Sequence, residues 1–146
     1  MPCPRSRPYN KDYRPQLRNT LVDEPTTPGS VGLEVHAFIL SQEKLLAWAR
    51  RHRYLPNEED EDHRASQAFI QITQRLGLPI HDDLVAIMVG PPDDEEPMYA
   101  AVLGTNDSEE SINRAVDPAR IERFKKKLRL KEEPLWYTGP FYRGGD

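Results

Sequence analysis

Two neighbouring apolar runs constrain the fold of this chain more than any other feature. Residues 84–90 read LVAIMVG and residues 98–104 read MYAAVLG, and both are short and β-prone. The segment between them, PPDDEEP, has the prolines and charges typical of a hairpin loop. Strands that are apolar on both faces are usually covered from both sides. The sequence therefore predicts two adjacent strands in a sheet that needs a covering on each face.

The remaining elements follow from periodicity and from helix start and stop signals. VGLEVHAFI alternates apolar residues with others, which predicts a strand. Ser41 is placed to cap a first helix, Asn57 to cap a second one that ends before Gly77, and Asp117-Pro118 to begin a third. The predicted elements in chain order are a strand at 31–39, a helix at 42–54, a helix from 58 to 76, strands at 84–90 and 98–104, a helix at 117–130 and a strand at 134–138.

This order predicts an α+β fold with an antiparallel sheet and helices packed mainly on one face. If the two consecutive helices count as one broken crossover, β-α-α-β-β-α-β corresponds to the split βαβ arrangement of ferredoxin-like folds. That topology hosts many functions and assigns none by itself.

The chain divides by composition into residues 1–30, predicted to be a disordered arm, and 31–146, predicted to be a single domain. Six of the 14 prolines fall in the arm, which has five basic and three acidic residues and few apolar ones. Its arginines and tyrosines suit a nucleic acid or an acidic protein, but a solvated tail and an Arg-rich transit peptide remain alternatives.

The sequence lacks the features of secreted and membrane proteins, which predicts an intracellular, cytoplasmic protein. Cys3 is the single cysteine, which excludes an intramolecular disulfide and thiolate-rich zinc sites. No segment approaches the apolar length of a membrane span, and the N-terminus lacks the apolar region of a signal peptide. The net charge of −4 argues neither for nor against a polyanionic partner.

The strong catalytic and nucleotide-binding motifs are missing from the sequence. It has no P-loop, no G-x-G-x-x-G, no G-x-S-x-G and no H-E-x-x-H. The aromatic signature of RNA-recognition strands is also missing from MYAAVLG. NTP hydrolysis, Rossmann-type redox chemistry, serine hydrolysis and zincin proteolysis are therefore disfavoured, and no cofactor is expected.

Two groups of polar residues have the composition of metal or proton-transfer sites. His81, Asp82 and Asp83 precede a strand, and turn chemistry explains the aspartates without a ligand. Glu59 and His63 are four apart on a helix and have the spacing to share an ion, but carboxylates in a first helical turn already complement the helix dipole. No metal is predicted at either place.

The second face of the sheet is the most informative unknown. The helices of a split βαβ fold cover one face, so a second subunit is the simplest covering for the other and predicts a homodimer. We expect the uncovered face to carry Glu34 and His36. Its predicted ligand-binding or interface residues are Phe38, Met88, Tyr99, Trp136 and Tyr137.

Three functional hypotheses follow. The first is a non-enzymatic interaction or regulatory module, self-associating through the apolar sheet face, with Glu34 and His36 on a face without an enclosed pocket. The second is a small cofactor-independent enzyme or small-ligand binder with His36 and Glu34 in a cleft, because imidazole titrates near neutral pH. The third is nucleic-acid binding through the arm and helix 117–130. The predicted contacts to phosphate or to an acidic partner are Arg5, Arg7, Arg14, Lys125, Lys126 and Lys127.

Overall fold

A computed structural model describes residues 6–22, 27–77, 87–90 and 98–143 of the 146-residue chain. The elements in chain order are β1 (Arg7–Pro8), β2 (Glu34–Ser41), α1 (Gln42–Arg51), α2 (Glu61–Arg75), β3 (Ile87–Met88), β4 (Met98–Thr105), α3 (Glu109–Ala115), α4 (Pro118–Leu128), β5 (Leu135–Thr138) and β6 (Tyr142–Arg143). The predicted α+β class is confirmed. No helix of the described ranges is long and apolar enough to cross a membrane.

The strands form one antiparallel sheet in the order β1-β5-β2-β4-β3-β6. β2 and β4 lie at its centre, with Phe38 opposite Ala101 and Leu40 opposite Tyr99. The register shifts between His36, which lies opposite Gly104, and Ala37, which lies opposite Val102, so the extra residue Leu103 marks a β-bulge in β4.

Local sequence explains where the helices begin. Ser41, Asp60, Ser108 and Asp117 each have extended backbone and a side-chain oxygen that accepts a hydrogen bond from an N–H of the following turn. Pro118 follows Asp117 at the first helical position, as predicted. The predicted cap at Asn57 is wrong, because α2 begins only after Asp60, whose carboxylate satisfies the N–H groups of two residues.

The four helices of the described ranges pack on one face of the sheet. Their buried residues join the strand residues of that face in one core, in which Phe124 of α4 stacks on Phe38 at 4.8 Å and Phe69 of α2 lies 5.2 Å from Tyr99. The predicted placement of the helices mainly on one face is therefore confirmed.

The opposite face has its own core, to which none of the described helices contributes. Strand residues from β2, β3 and β4 pack there with Leu33 and with Phe141 from the turn between β5 and β6. Phe141 is 7% exposed. β5 pairs with β2 on one side of the sheet, and β6 pairs with β3 on the other side. The sheet curls because only a short turn separates β5 from β6 in the chain. The chain itself therefore covers much of the face for which the sequence predicts a second subunit.

Residues 6–22 lie against this domain. β1 extends the sheet beyond β5, and the backbone N–H of Ser6 bonds to the carbonyl of Val89 at 2.7 Å. Further along, the N–H of Arg18 bonds to the carbonyl of Asn106 at 3.0 Å. The division of the chain at residue 30 stays a prediction, but these contacts join the described part of the arm to the sheet.

Candidate functional site

Glu34 lies at the start of β2 and is only 4% exposed. Its Oε1 accepts a hydrogen bond of 2.7 Å from the hydroxyl of Tyr13, and its Oε2 accepts one of 3.3 Å from Nδ2 of Asn106. Asn106 is fully buried and also bonds to the carbonyls of Gln16 and Gly32. Glu34 is therefore held inside a network that links β2, the end of β4 and the N-terminal segment.

His36 lies two residues further along β2, 6% exposed. Its Nδ1 is 2.7 Å from the carbonyl oxygen of Ala115 and donates a hydrogen bond to it, because a carbonyl oxygen can only accept. The ring stacks on Trp136 at 4.9 Å. Burial lowers the pKa of His36, while hydrogen bonds to the backbone carbonyls of Ala115 and Pro134 act in the opposite direction.

These contacts bear directly on the enzyme hypothesis. A general base needs an open lone pair within hydrogen-bond reach of its substrate. Glu34 and His36 instead direct their polar atoms at protein groups, and none of the three cavities described below is lined by either residue. Their arrangement fits structural roles in joining elements.

The predicted interface residues do not form an open face. Phe38, Met88, Tyr99 and Trp136 belong to the core under the helices. Residues at 34, 36 and 38 share one side of β2, and this is the side that the helices cover, opposite to the sequence prediction. Both sides of β2 carry apolar residues. The alternation of the sequence therefore does not determine which side faces the helices. Tyr137 is half-buried on the other face.

The predicted cationic contacts are dispersed. Arg5 lies outside the described residues, and Arg7 is exposed on β1. Arg14 forms an ion pair of 3.0 Å with Glu109, and Lys125 pairs with Glu133 at 2.6 Å and with Glu122 at 3.7 Å. Lys126 lines an open groove of about 580 Å³ together with Lys125 and Glu122. Among these predicted cationic contacts, only Lys127 lines the cleft that is defined below.

The candidate metal and proton-transfer groups have simpler surroundings. His81, Asp82 and Asp83 lie outside the described residues. In the acidic run at 58–62, Asp60 caps α2 and Nε2 of His63 is 3.8 Å from Oε2 of Glu58. Within the described ranges, no group of three or more His, Cys, Asp or Glu side chains is placed to hold a metal ion.

A small cleft on the helical side combines apolar and cationic residues, and we call it the Trp48 cleft. It has a volume of about 80 Å³ and is lined by Trp48, His52, Ile72, Arg75, Leu76, Lys127 and Leu128. The guanidinium of Arg75 lies over the Trp48 ring, 5.3 Å from its centre, and the His52 ring is 4.4 Å away. Residues from the last turns of α1, α2 and α4 therefore meet around one indole.

The cations in and around the Trp48 cleft have no acidic partners among the described residues. No carboxylate of the described residues forms an ion pair with Arg51, Arg75, Lys127 or Arg129, in contrast to the paired Lys44 and Lys125. The pKa of His52 is lowered first by desolvation and then by the positive charges of these four residues. The cleft is therefore a place of uncompensated positive charge with an apolar floor.

A further open cavity of about 410 Å³ is lined by Arg18, Asn19, Thr20, Leu21 and Asp107. Here Arg18 already pairs with Asp107 at 3.3 Å, so the charge is internally balanced. The Trp48 cleft differs from it, and from the groove beside Lys126, because none of the described residues that line it carries a carboxylate.

Sequence reasoning missed this cleft. The signals were present as RRHR at 50–53 and KKKLR at 125–129, but each is also explained by cations near a helix C-terminus. Only the packing of the helices brings them together with Arg75 around Trp48. Comparison of the chain with protein-family models, with curated proteins and with solved structures finds no match.

Proposed function

We propose that this chain is a non-enzymatic interaction module that binds an acidic segment of a partner protein through the Trp48 cleft. The observation that carries the proposal is the group of cations around an apolar cavity, none of which is paired with a carboxylate of the described residues. Arginine binds carboxylates with two parallel hydrogen bonds, and lysine adds a compact charge. An acidic segment with one apolar side chain would satisfy both parts of the cleft.

The size of the cleft supports a side chain as its occupant. Pockets for small-molecule ligands and cofactors usually measure about 300–1,000 Å³. The cleft has about 80 Å³, which suits one side chain or one acidic group and is too small for a nucleotide or a coenzyme.

The same residues argue for a protein partner over a nucleic acid. Bases bind single-strand readers by stacking on accessible aromatic rings. Trp48 is 5% exposed and its ring is already occupied by Arg75 and His52.

The sheet and its helices form the scaffold that carries the Trp48 cleft. The order β5-β2-β4-β3, with α1 and α2 between β2 and β3 and with α3 and α4 between β4 and β5, has the connectivity of a split βαβ arrangement. We therefore also propose that the core is ferredoxin-like. This assignment adds no function of its own.

Binding of a blocked synthetic peptide, with six glutamates around one leucine, tests the proposal by fluorescence anisotropy at low salt. We expect binding that weakens as salt rises and is lost in the double variant R75E/K127E. The control K11E/R14E changes the charge of the chain by the same amount away from the cleft and should bind like the natural chain.

Three results would contradict the proposal: no binding of the peptide, equal loss in both double variants, or binding of a generic DNA duplex with none of the peptide. The last result would favour the nucleic-acid hypothesis instead. Circular dichroism of each variant confirms that its fold is retained, and all four substituted positions are exposed.

A further inference from the structure

We propose that an acidic partner enters the Trp48 cleft together with a proton taken up by His52, so that the cleft holds carboxylates more tightly in mildly acidic solution. This inference rests on the proposed function and specifies how the same site is regulated. The regulation depends on the imidazole of His52, on its position at the end of α1 and on the charged side chains around it.

His52 is placed to touch whatever enters the cleft. It follows the last residue of α1, where its backbone N–H bonds to the carbonyl of Trp48 at 3.0 Å. The side chain is exposed, and its ring lies 4.4 Å from the Trp48 ring, tilted by 30°. It lines the cavity beside Arg75 and Lys127. An incoming carboxylate therefore meets the imidazole and two cations together.

The empty cleft disfavours a charged imidazole. Desolvation lowers the pKa of His52, and four cations lower it further: Arg75 from α2, Arg51 from α1, Lys127 from α4 and Arg129 from the turn that follows α4. The largest charge contributions to this shift all come from cations. The imidazole is therefore neutral near neutral pH while the surrounding arginines and lysines remain charged.

A bound carboxylate reverses this balance. A negative charge within about 4–6 Å favours the charged form of a neighbouring group. The pKa of His52 is then higher in the complex than in the free chain, so binding takes up protons at any pH between the two values. By linkage, affinity must increase as the pH falls through that window. Glutamate side chains of the partner stay ionised above about pH 5 and do not oppose the effect.

The other described histidines provide controls. His63 is exposed near the start of α2, where its Nε2 lies 3.8 Å from Oε2 of Glu58, and His36 is buried under α3. Neither lines the cleft. The variant His63→Gln therefore removes an imidazole from the same chain without touching the site.

Calorimetric titration of the full chain with the same glutamate–leucine peptide tests the inference. The measurements are made at pH 7.5, 6.5 and 5.5, in pairs of buffers with different ionisation enthalpies, which report the number of protons taken up. We expect binding roughly three- to tenfold tighter at pH 5.5 than at pH 7.5, with uptake of a fraction of one proton. Both effects should vanish in His52→Gln and in His52→Asn and persist in His63→Gln.

The outcomes separate the inference from the proposed function. Peptide binding that is the same at all three pH values, or a proton uptake that survives in His52→Gln, overturns the inference and leaves the interaction module standing. If the peptide binds at no pH, both fail. Loss of proton uptake in His63→Gln would also overturn the inference, because it would place the titrating group outside the cleft.

Discussion

The hydroxyl of Tyr13 donates a hydrogen bond of 2.7 Å to Oε1 of Glu34, which joins the N-terminal segment to the central strand β2. The ring of Tyr13 also stacks on Tyr9 at 3.8 Å, and the pKa of both tyrosines is raised by burial and by the nearby carboxylate of Glu34. A buried charged acceptor thus anchors a segment that has few apolar residues of its own. The anchor explains how a proline-rich stretch lies along the sheet.

Removal of this hydroxyl should destabilise the chain without disturbing its packing. Tyr13→Phe keeps the stacked ring but leaves Glu34 with one donor fewer, and a buried acceptor that loses its partner costs about 1–3 kcal/mol. Urea denaturation measures the change in the free energy of unfolding. Tyr137→Phe is the matched control, because Tyr137 is half-buried without a hydrogen bond from its hydroxyl to the described residues, and it should change stability by less than about 0.5 kcal/mol. Equal effects of the two substitutions would contradict the role assigned to the Tyr13–Glu34 bond.

Acidification should destabilise the chain through His36. Burial lowers the folded-state pKa of His36 below its unfolded value near 6.5, so the unfolded chain binds more protons in the interval between them. The stabilising effect of a neutral His36 is complete above pH 6.5 and is lost as the pH falls towards the folded-state pKa. Denaturation at pH 7.5, 6.0 and 5.0 should show this loss, and His36→Gln should flatten it. The pKa of His52 is lowered as well, so His52→Gln provides the comparison for the exposed imidazole. A pH profile that is unchanged in His36→Gln would show that His36 does not cause the loss.

Much of the fold was predictable from local signals. Alternation identified β2, cap residues identified the starts of α1 and α4, and Gly77, with its left-handed φ of 65°, marks the end of α2. The short α3 was missed because its only strong local signal is Ser108 before two glutamates. β1 and β6 have two residues each and depend on partners far away in the sequence.

The placement of the site was not predictable in the same way. Glu34 and His36 occupy strand positions that face the helices, and their partners Tyr13 and Ala115 are 21 and 79 positions away in the chain. No periodic pattern encodes such distances. Likewise, the cleft depends on the packing of α1, α2 and α4, and each of their basic ends has a sufficient local explanation in the helix dipole.

The approach of α3 to β4 depends on the absence of a side chain at Gly104. A Cβ there would lie 2.6 Å from Cβ of Ala115 and 2.6 Å from the carbonyl oxygen of Ser111. Gly104→Ala should therefore destabilise the chain by about 1–3 kcal/mol or more, measured by urea denaturation. The second variant Gly104→Ala/Ala115→Gly should recover only part of the loss, because the backbone oxygen of Ser111 stays in place. Full recovery would contradict a role for that carbonyl, and an unchanged stability of Gly104→Ala would contradict the close packing of α3 on β4.

Phe141 decides whether the chain covers the second face of its own sheet. It packs with Leu33, Val35, Ile87 and Val102 in the core opposite the helices. Phe141→Ala should lower the free energy of unfolding by about 3–5 kcal/mol, as large-to-small changes in a packed core do.

The same variant tests the homodimer that the sequence predicts through this face. If Phe141 covers the face, two copies cannot pair through it, and the natural chain should not sediment as a dimer formed through this face. Phe141→Ala should then self-associate more than the natural chain, because it exposes apolar strand residues. The charge variant R75E/K127E serves as the comparison, because its substitutions lie on the helical side of the sheet. The natural chain could instead sediment as a dimer that is lost in Phe141→Ala and kept in R75E/K127E. That result would show that the sheet face is an interface between two copies.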